Sequence, residues 1–145
     1  MREQPQEPGK ALDRAILTIL TAARALIAKP ENWTQGCAGR TKSGEVRSYH
    51  ESDVFAFCPM AAIYRAAGVR RSEAGAGDIG SDAPQVRHAL ARVAARLAGE
   101  DEPGPWDHLD PDQLLRMNDL TETTHEDVIA AFDGAITTTK ARLRQ

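Results

Sequence analysis

The apolar residues of this chain recur at helical spacing in five separate stretches, with proline, glycine or acidic residues punctuating the gaps between them. An amphipathic stripe of that kind is stable only when its apolar side faces another element, so the five must share an interior. The first stretch runs from Ala11 to Ala28, with Leu12, Ile16, Ile19, Leu20, Ala23, Leu26 and Ile27 along one broad side. Pro30 closes it, because proline disfavours helical geometry in the residue before it. Asp82-Ala83-Pro84-Gln85 has helix-start chemistry, and the helix it opens runs to about Ala98, with Val86, Leu90, Val93 and Leu97 on its inner side. Asp110-Pro111 begins a shorter helix bearing Leu114, Leu115 and Met117, which stops around Asn118-Asp119. Thr124 with Asp127 three residues later forms a variant capping box. The helix behind it buries Val128, Phe132, Ala135, Ile136 and Leu143, and Lys140, Arg142 and Arg144 suit the negative end of its dipole.

The remaining stretch, Asp53 to Ala67, is helical in pattern but contains Pro59. Proline fits a first helical turn and breaks an interior one, so either a short turn precedes a helix starting near Cys58 or one helix is kinked there. Gly68 ends it. Between Glu31 and Ser48 the pattern changes, with Gly36, Gly39 and Gly44 as punctuation. Thr41-Lys42-Ser43-Gly44 reads as the turn of a small β-hairpin, from about Thr34 to Arg40 and from Glu45 to Tyr49. Arg70 to Ser81 is a glycine-rich loop, and Gly99 to Pro105 an acidic linker. The expected fold is therefore mainly α, a compact bundle of about five helices with a small hairpin after the first. Residues 1–10 form a flexible N-terminal tail and residues 11–145 a single helical domain. Hydrophobic residues make up 41% of the chain but aromatics only 5%, so the helices must approach closely through alanine and aliphatic side chains.

The net charge of −3 and a pI near 5.8 speak against a general nucleic-acid binder, and another protein is the expected partner. Two cysteines, Cys37 and Cys58, are too few for a disulfide scaffold and suit a reducing compartment. Asp13, Arg14 and Arg24 interrupt the most apolar early stretch, which excludes an export signal or membrane span there and points to the cytoplasm. Cys37, Cys58, His50, His88, His108 and His125 show no paired metal-ligand spacing, so neither a metal nor a cofactor is expected. Gly75-Ala76-Gly77 lacks the flanking residues of a phosphate loop.

Four short segments carry a family likeness. They are Trp33-Thr34-Gln35-Gly36 with the turn at Gly44, the run Phe57-Cys58-Pro59-Met60-Ala61-Ala62-Ile63-Tyr64-Arg65-Ala66, Asn118-Asp119, and Thr124-His125 followed by Val128. In this order the chain resembles domain of unknown function 6197, a family of short bacterial and phage proteins. It departs from the pattern at Ala61, where the family typically carries glycine, and at Pro59 just after the cysteine. The resemblance implies an architecture, a set of marked positions and an association with phage or mobile elements. It implies no activity.

Cys58, His125, Asn118 and Asp119 are the candidates for chemistry. A helix dipole can lower the pKa of an N-terminal thiol, an imidazole can take its proton, and an amide or carboxylate can orient the ring. That set would make a cysteine-dependent hydrolase or transferase. The competing explanation is structural: a buried thiol, a helix-ending Asn-Asp pair and a histidine in a first turn. Trp33 either stacks on a ligand or pins the loop after the first helix, and Trp106 is the candidate exposed anchor for a partner. His88, Arg92 and Arg96 repeat every four residues, extended by Arg70 and Arg71. We expect a solvated face paired with Glu100, Asp101 and Glu102; as alternatives, this stripe would suit phosphate or an acidic protein surface, and Arg87, Arg92 and Arg96 would bind nucleic acid. The leading expectation is a non-catalytic accessory or protein-interaction domain with a contact surface near Trp33, Asn118 and Trp106.

Overall fold

The computed structural model describes residues 9–69, 82–104 and 112–145. Five helices are present there: α1 (Lys10–Leu26), α2 (Pro59–Ala67), α3 (Pro84–Leu97), α4 (Gln113–Asn118) and α5 (His125–Leu143). A 3-10 turn at Pro30–Asn32 follows α1, and three two-residue strands precede α2: β1 (Gly39–Arg40), β2 (Val46–Arg47) and β3 (Ala56–Phe57). The protein is thus mainly α with one small antiparallel sheet. Residues 1–8, the glycine-rich 70–81 loop and residues 105–111, with Trp106 and His108, lie outside the described residues. Lys10, read above as part of the tail, is the first residue of α1.

The expected hairpin is present and pairs Gly39 with Arg47 and Arg40 with Val46. The third strand was not expected. β3 lies on the other side of β1, pairing Gly39 with Phe57 and Arg40 with Ala56, so the strand order is β2-β1-β3. The helix drawn from Asp53 therefore starts only at Pro59, the first of the two alternatives. Proline forces the preceding residue to be extended, and Cys58 has φ −74° and ψ 161°. Gly39 is needed at the centre of the sheet, since a Cβ there would lie 2.9 Å from Val54 Cγ1 and 3.2 Å from the Ala56 carbonyl.

All five helices contribute to one apolar cluster that includes Ile16, Leu20, Ile63, Leu90, Leu114 and Phe132. Thr124 and Asp127 form both bonds of the capping box at the start of α5. Ile136 and Leu143, expected in the core, are only half-buried, and Thr139 takes the inward position between them. Lys10 Nζ donates to the carbonyls of Leu143 and Gln145, so the first residue of α1 closes the end of α5.

Helix α3 touches each of the other four helices. Its small residues Ala89, Ala91, Ala94 and Ala95 are all buried, which leaves its middle turns without a solvated side. The expected solvated basic face is accordingly absent there. Arg92 is 2% exposed, and its guanidinium donates to Asp13 Oδ1 at 2.8 Å and to Thr139 Oγ1 at 2.8 Å. Arg142 Nε donates to the other Asp13 oxygen at 3.2 Å. One buried carboxylate thus fastens α1, α3 and α5 together.

His88 stands one turn before Arg92. Burial, and then the nearby Arg92 charge, push its pKa down from 6.5 to about 4. The folded state therefore refuses a proton that the unfolded chain accepts, and stability falls as pH drops from about 6.5 towards 4. The ring is half-exposed, so solvent screening reduces the expected loss to something on the order of 1 kcal/mol. Urea midpoints measured across this window should fall less steeply in His88→Gln than in the parent chain.

Candidate functional site

The segment after α1 is laid alongside β3 by main-chain bonds. Trp33 bridges Phe57 in parallel fashion, and the Thr34 N–H donates to the Phe57 carbonyl at 3.1 Å. Asn32 Nδ2 holds the Phe55 carbonyl at 2.8 Å. This path carries Trp33, Thr34, Gln35 and Gly36 past the end of α4, where the second half of the site is waiting.

Asn118 is fully buried at that end, and both of its amide groups are used. Its Oδ1 accepts from Trp33 Nε1 at 2.7 Å, while its Nδ2 donates to the Thr34 carbonyl at 3.1 Å. Gln35 Nε2 faces three carbonyls at and beyond the helix end: Asn118 at 2.6 Å, Leu120 at 3.0 Å and Thr123 at 3.3 Å. The Asn118 carbonyl is one of the acceptors that a helix C-terminus leaves open, and the other two belong to the turn that follows. Asp119 Oδ1 accepts from the Gly36 N–H at 2.9 Å, where Gly36 turns the chain at φ 81°. His125 lies against Trp33, with ring centroids 5.9 Å apart, and its Nε2 donates to the Ile27 carbonyl at 2.8 Å. The imidazole therefore joins the start of α5 to the end of α1.

Cys58 occupies the N-cap of α2 and is 0% exposed. Its Sγ accepts from the Ala61 N–H at 3.3 Å. A helix terminus can lower a thiol pKa, but here the pKa is raised from 9.0 to about 11, in keeping with the buried, structural alternative for this cysteine. Desolvation of the thiolate outweighs the stabilising Ala61 and Met60 N–H groups, and Asp119 raises it further. No hydrogen bond joins Cys58 to His125 among the described residues.

Of the residues singled out from sequence, Trp33, Asn118, Asp119 and His125 come together. Trp33 pins a loop, and Asn118 is too deep to form part of a contact surface. Arg92 is unavailable as a binding residue because Asp13 and Thr139 enclose it. Arg96 lies across Gly134, donates to Thr138 Oγ1 at 2.5 Å and has Asp101 3.8 Å away. Trp106 falls outside the described residues. Among those described, no group of three or more His, Cys, Asp or Glu side chains could hold a metal ion, and no helix is long and apolar enough to cross a membrane.

Sequence reasoning passed over Gln35 and Thr123, which tie off the end of α4; Gln35 stood in a quoted motif without a role. It also passed over a cleft of about 460 Å³ between the end of α3, the α4–α5 turn and the first turns of α5. Leu97, Met117, Leu120 and Ala131 form its apolar part, while Arg96, Glu122 and Asp127 supply charge.

In comparisons with known proteins, a family model described as a family of unknown function (DUF6197) matches residues 11–138. No curated protein and no solved structure matches the chain.

Proposed function

The chain belongs to DUF6197, a family of unknown function, and from that premise we propose that it is a non-catalytic protein-interaction module. One observation carries the reading: Cys58, His125, Asn118 and Asp119, the four residues singled out for chemistry, are all committed to holding the fold. The Cys58 thiol is buried and kept protonated. The His125 N–H is on a carbonyl, and Asn118 and Asp119 fasten the Trp33–Gly36 segment. A nucleophile needs a thiolate, an adjacent base and access for substrate. Burial of Arg92 weighs equally against a nucleic-acid reading through the α3 arginines. Two unpaired thiols, Cys37 half-buried and Cys58 buried, support a place in the cytoplasm.

Labelling with iodoacetamide at neutral pH, followed by peptide mass mapping, tests the reading. Cys58 should remain unmodified in the native protein and react once urea is added. Modification of native Cys58 at the rate of a free thiol would point to the cysteine-dependent enzyme instead.

A further inference from the structure

On the interaction reading, the turn between α4 and α5 bears on the chemistry of the partner. Leu120 sits in the turn between α4 and α5, 47% exposed. It borders the 460 Å³ cleft, whose wall continues through Leu97, Met117 and Ala131. A leucine left in water beside an apolar recess marks a docking surface more strongly than either feature alone. Two carboxylates, of Glu122 and Asp127, and one guanidinium, of Arg96, line the cleft. From Met117 to Thr139 the chain carries Asp119, Glu122, Glu126, Asp127 and Asp133, and neither lysine nor arginine. Arg24 neutralises Asp133. Among the described residues Glu122 and Glu126 have no ion-pair partner, and Glu122 and Asp127 both line the cleft. Arg96 on the opposite wall is held by Thr138 and faces Asp101.

We propose that this cleft docks a basic amphipathic segment of a partner protein. An apolar side chain of the segment enters beside Leu120, and its flanking lysines or arginines meet Glu122 and Asp127. Apolar burial supplies the affinity, and the acidic mouth selects the sign of the partner.

Fluorescence anisotropy on the full chain provides the test, with a labelled helical peptide of lysine, leucine and alanine as probe. We expect saturable binding that Leu120→Ser and Glu122→Lys each weaken about tenfold. Glu122→Gln, which only removes the charge, should weaken it less and in the same direction. Asp82→Lys makes the same charge change at the far end of α3 and should leave binding unaltered. Leu120 and Glu122 are exposed, and circular dichroism melts should confirm that these variants remain folded.

Equal weakening by Asp82→Lys would reduce the effect to net charge and overturn the proposal. So would equal binding of a peptide with glutamate in place of lysine, or the absence of saturable binding. Self-association in sedimentation that Leu120→Ser abolishes would make the occupant a second copy of this chain, and would also overturn it. The two readings fail separately: labelling of native Cys58 strikes the non-catalytic reading, whereas loss of peptide binding with Cys58 still protected strikes only the cleft.

Discussion

Asp13→Ala should lower the folding free energy by about 3–5 kcal/mol. The carboxylate is 2% exposed and is held by both Arg92 and Arg142. Without it, the Arg92 guanidinium remains in the interior with only the Thr139 hydroxyl as a polar partner. A buried charge deprived of its counterion cannot recover the water it lost on folding. Domains of this size have roughly 5–15 kcal/mol in total, so the variant should approach or pass the unfolding threshold at ordinary temperatures. Arg142→Gln should be far milder, on the order of 1 kcal/mol, because Arg142 is partly solvated and Asp13 keeps its bond to Arg92. Combining Asp13→Ala with Arg92→Met should restore part of the loss by removing the stranded cation. Urea unfolding followed by far-ultraviolet circular dichroism would rank the three. If Asp13→Ala unfolds at the parent's urea concentration, the buried carboxylate is not what aligns α1, α3 and α5.

Asn118→Leu is the second large effect, expected at about 2–4 kcal/mol. Leucine fills similar space but offers neither an acceptor to the Trp33 indole nor a donor to the Thr34 carbonyl. Each abandoned group costs about 1–3 kcal/mol when water cannot replace the lost partner. Trp33 and Asn118 form one unit, so Trp33→Phe placed on Asn118→Leu should add much less than it costs alone. The indole N–H resonance of Trp33 should also lose protection from hydrogen exchange in Asn118→Leu. Additive costs for the two substitutions would separate the residues energetically and contradict the geometry.

How far these features were legible in the sequence differs from residue to residue. The helix stripes and the Thr124–Asp127 cap were readable because they depend on neighbours within a few positions. The strand at Ala56–Phe57 was not, since two residues carry no periodicity and are defined by pairing with Gly39 and Arg40. Arg92 was placed on a solvated face because the stripe rule assumes that a helix has one packed side. Helix α3 instead meets four others. The corrective signal was available in α1: Asp13 precedes Ile16, Leu20, Ala23 and Ile27 on the same apolar side. An acid in that position requires a cation from elsewhere in the chain. The four motif segments were recognisable one by one, but their meeting depends on bonds across some 85 positions, such as Trp33 to Asn118. Only the fold brings them together.

We propose that this meeting place holds the protein together and performs no chemistry. The most direct test is a pH titration of the native protein with carbon-13 in the cysteine Cβ and in the histidine ring. The Cys58 Cβ resonance should stay at its thiol position through about pH 9, as burial requires. A shared inflection of Cys58 and His125 below about pH 8 would reveal a thiolate–imidazolium pair, and the structural account of the junction would be wrong.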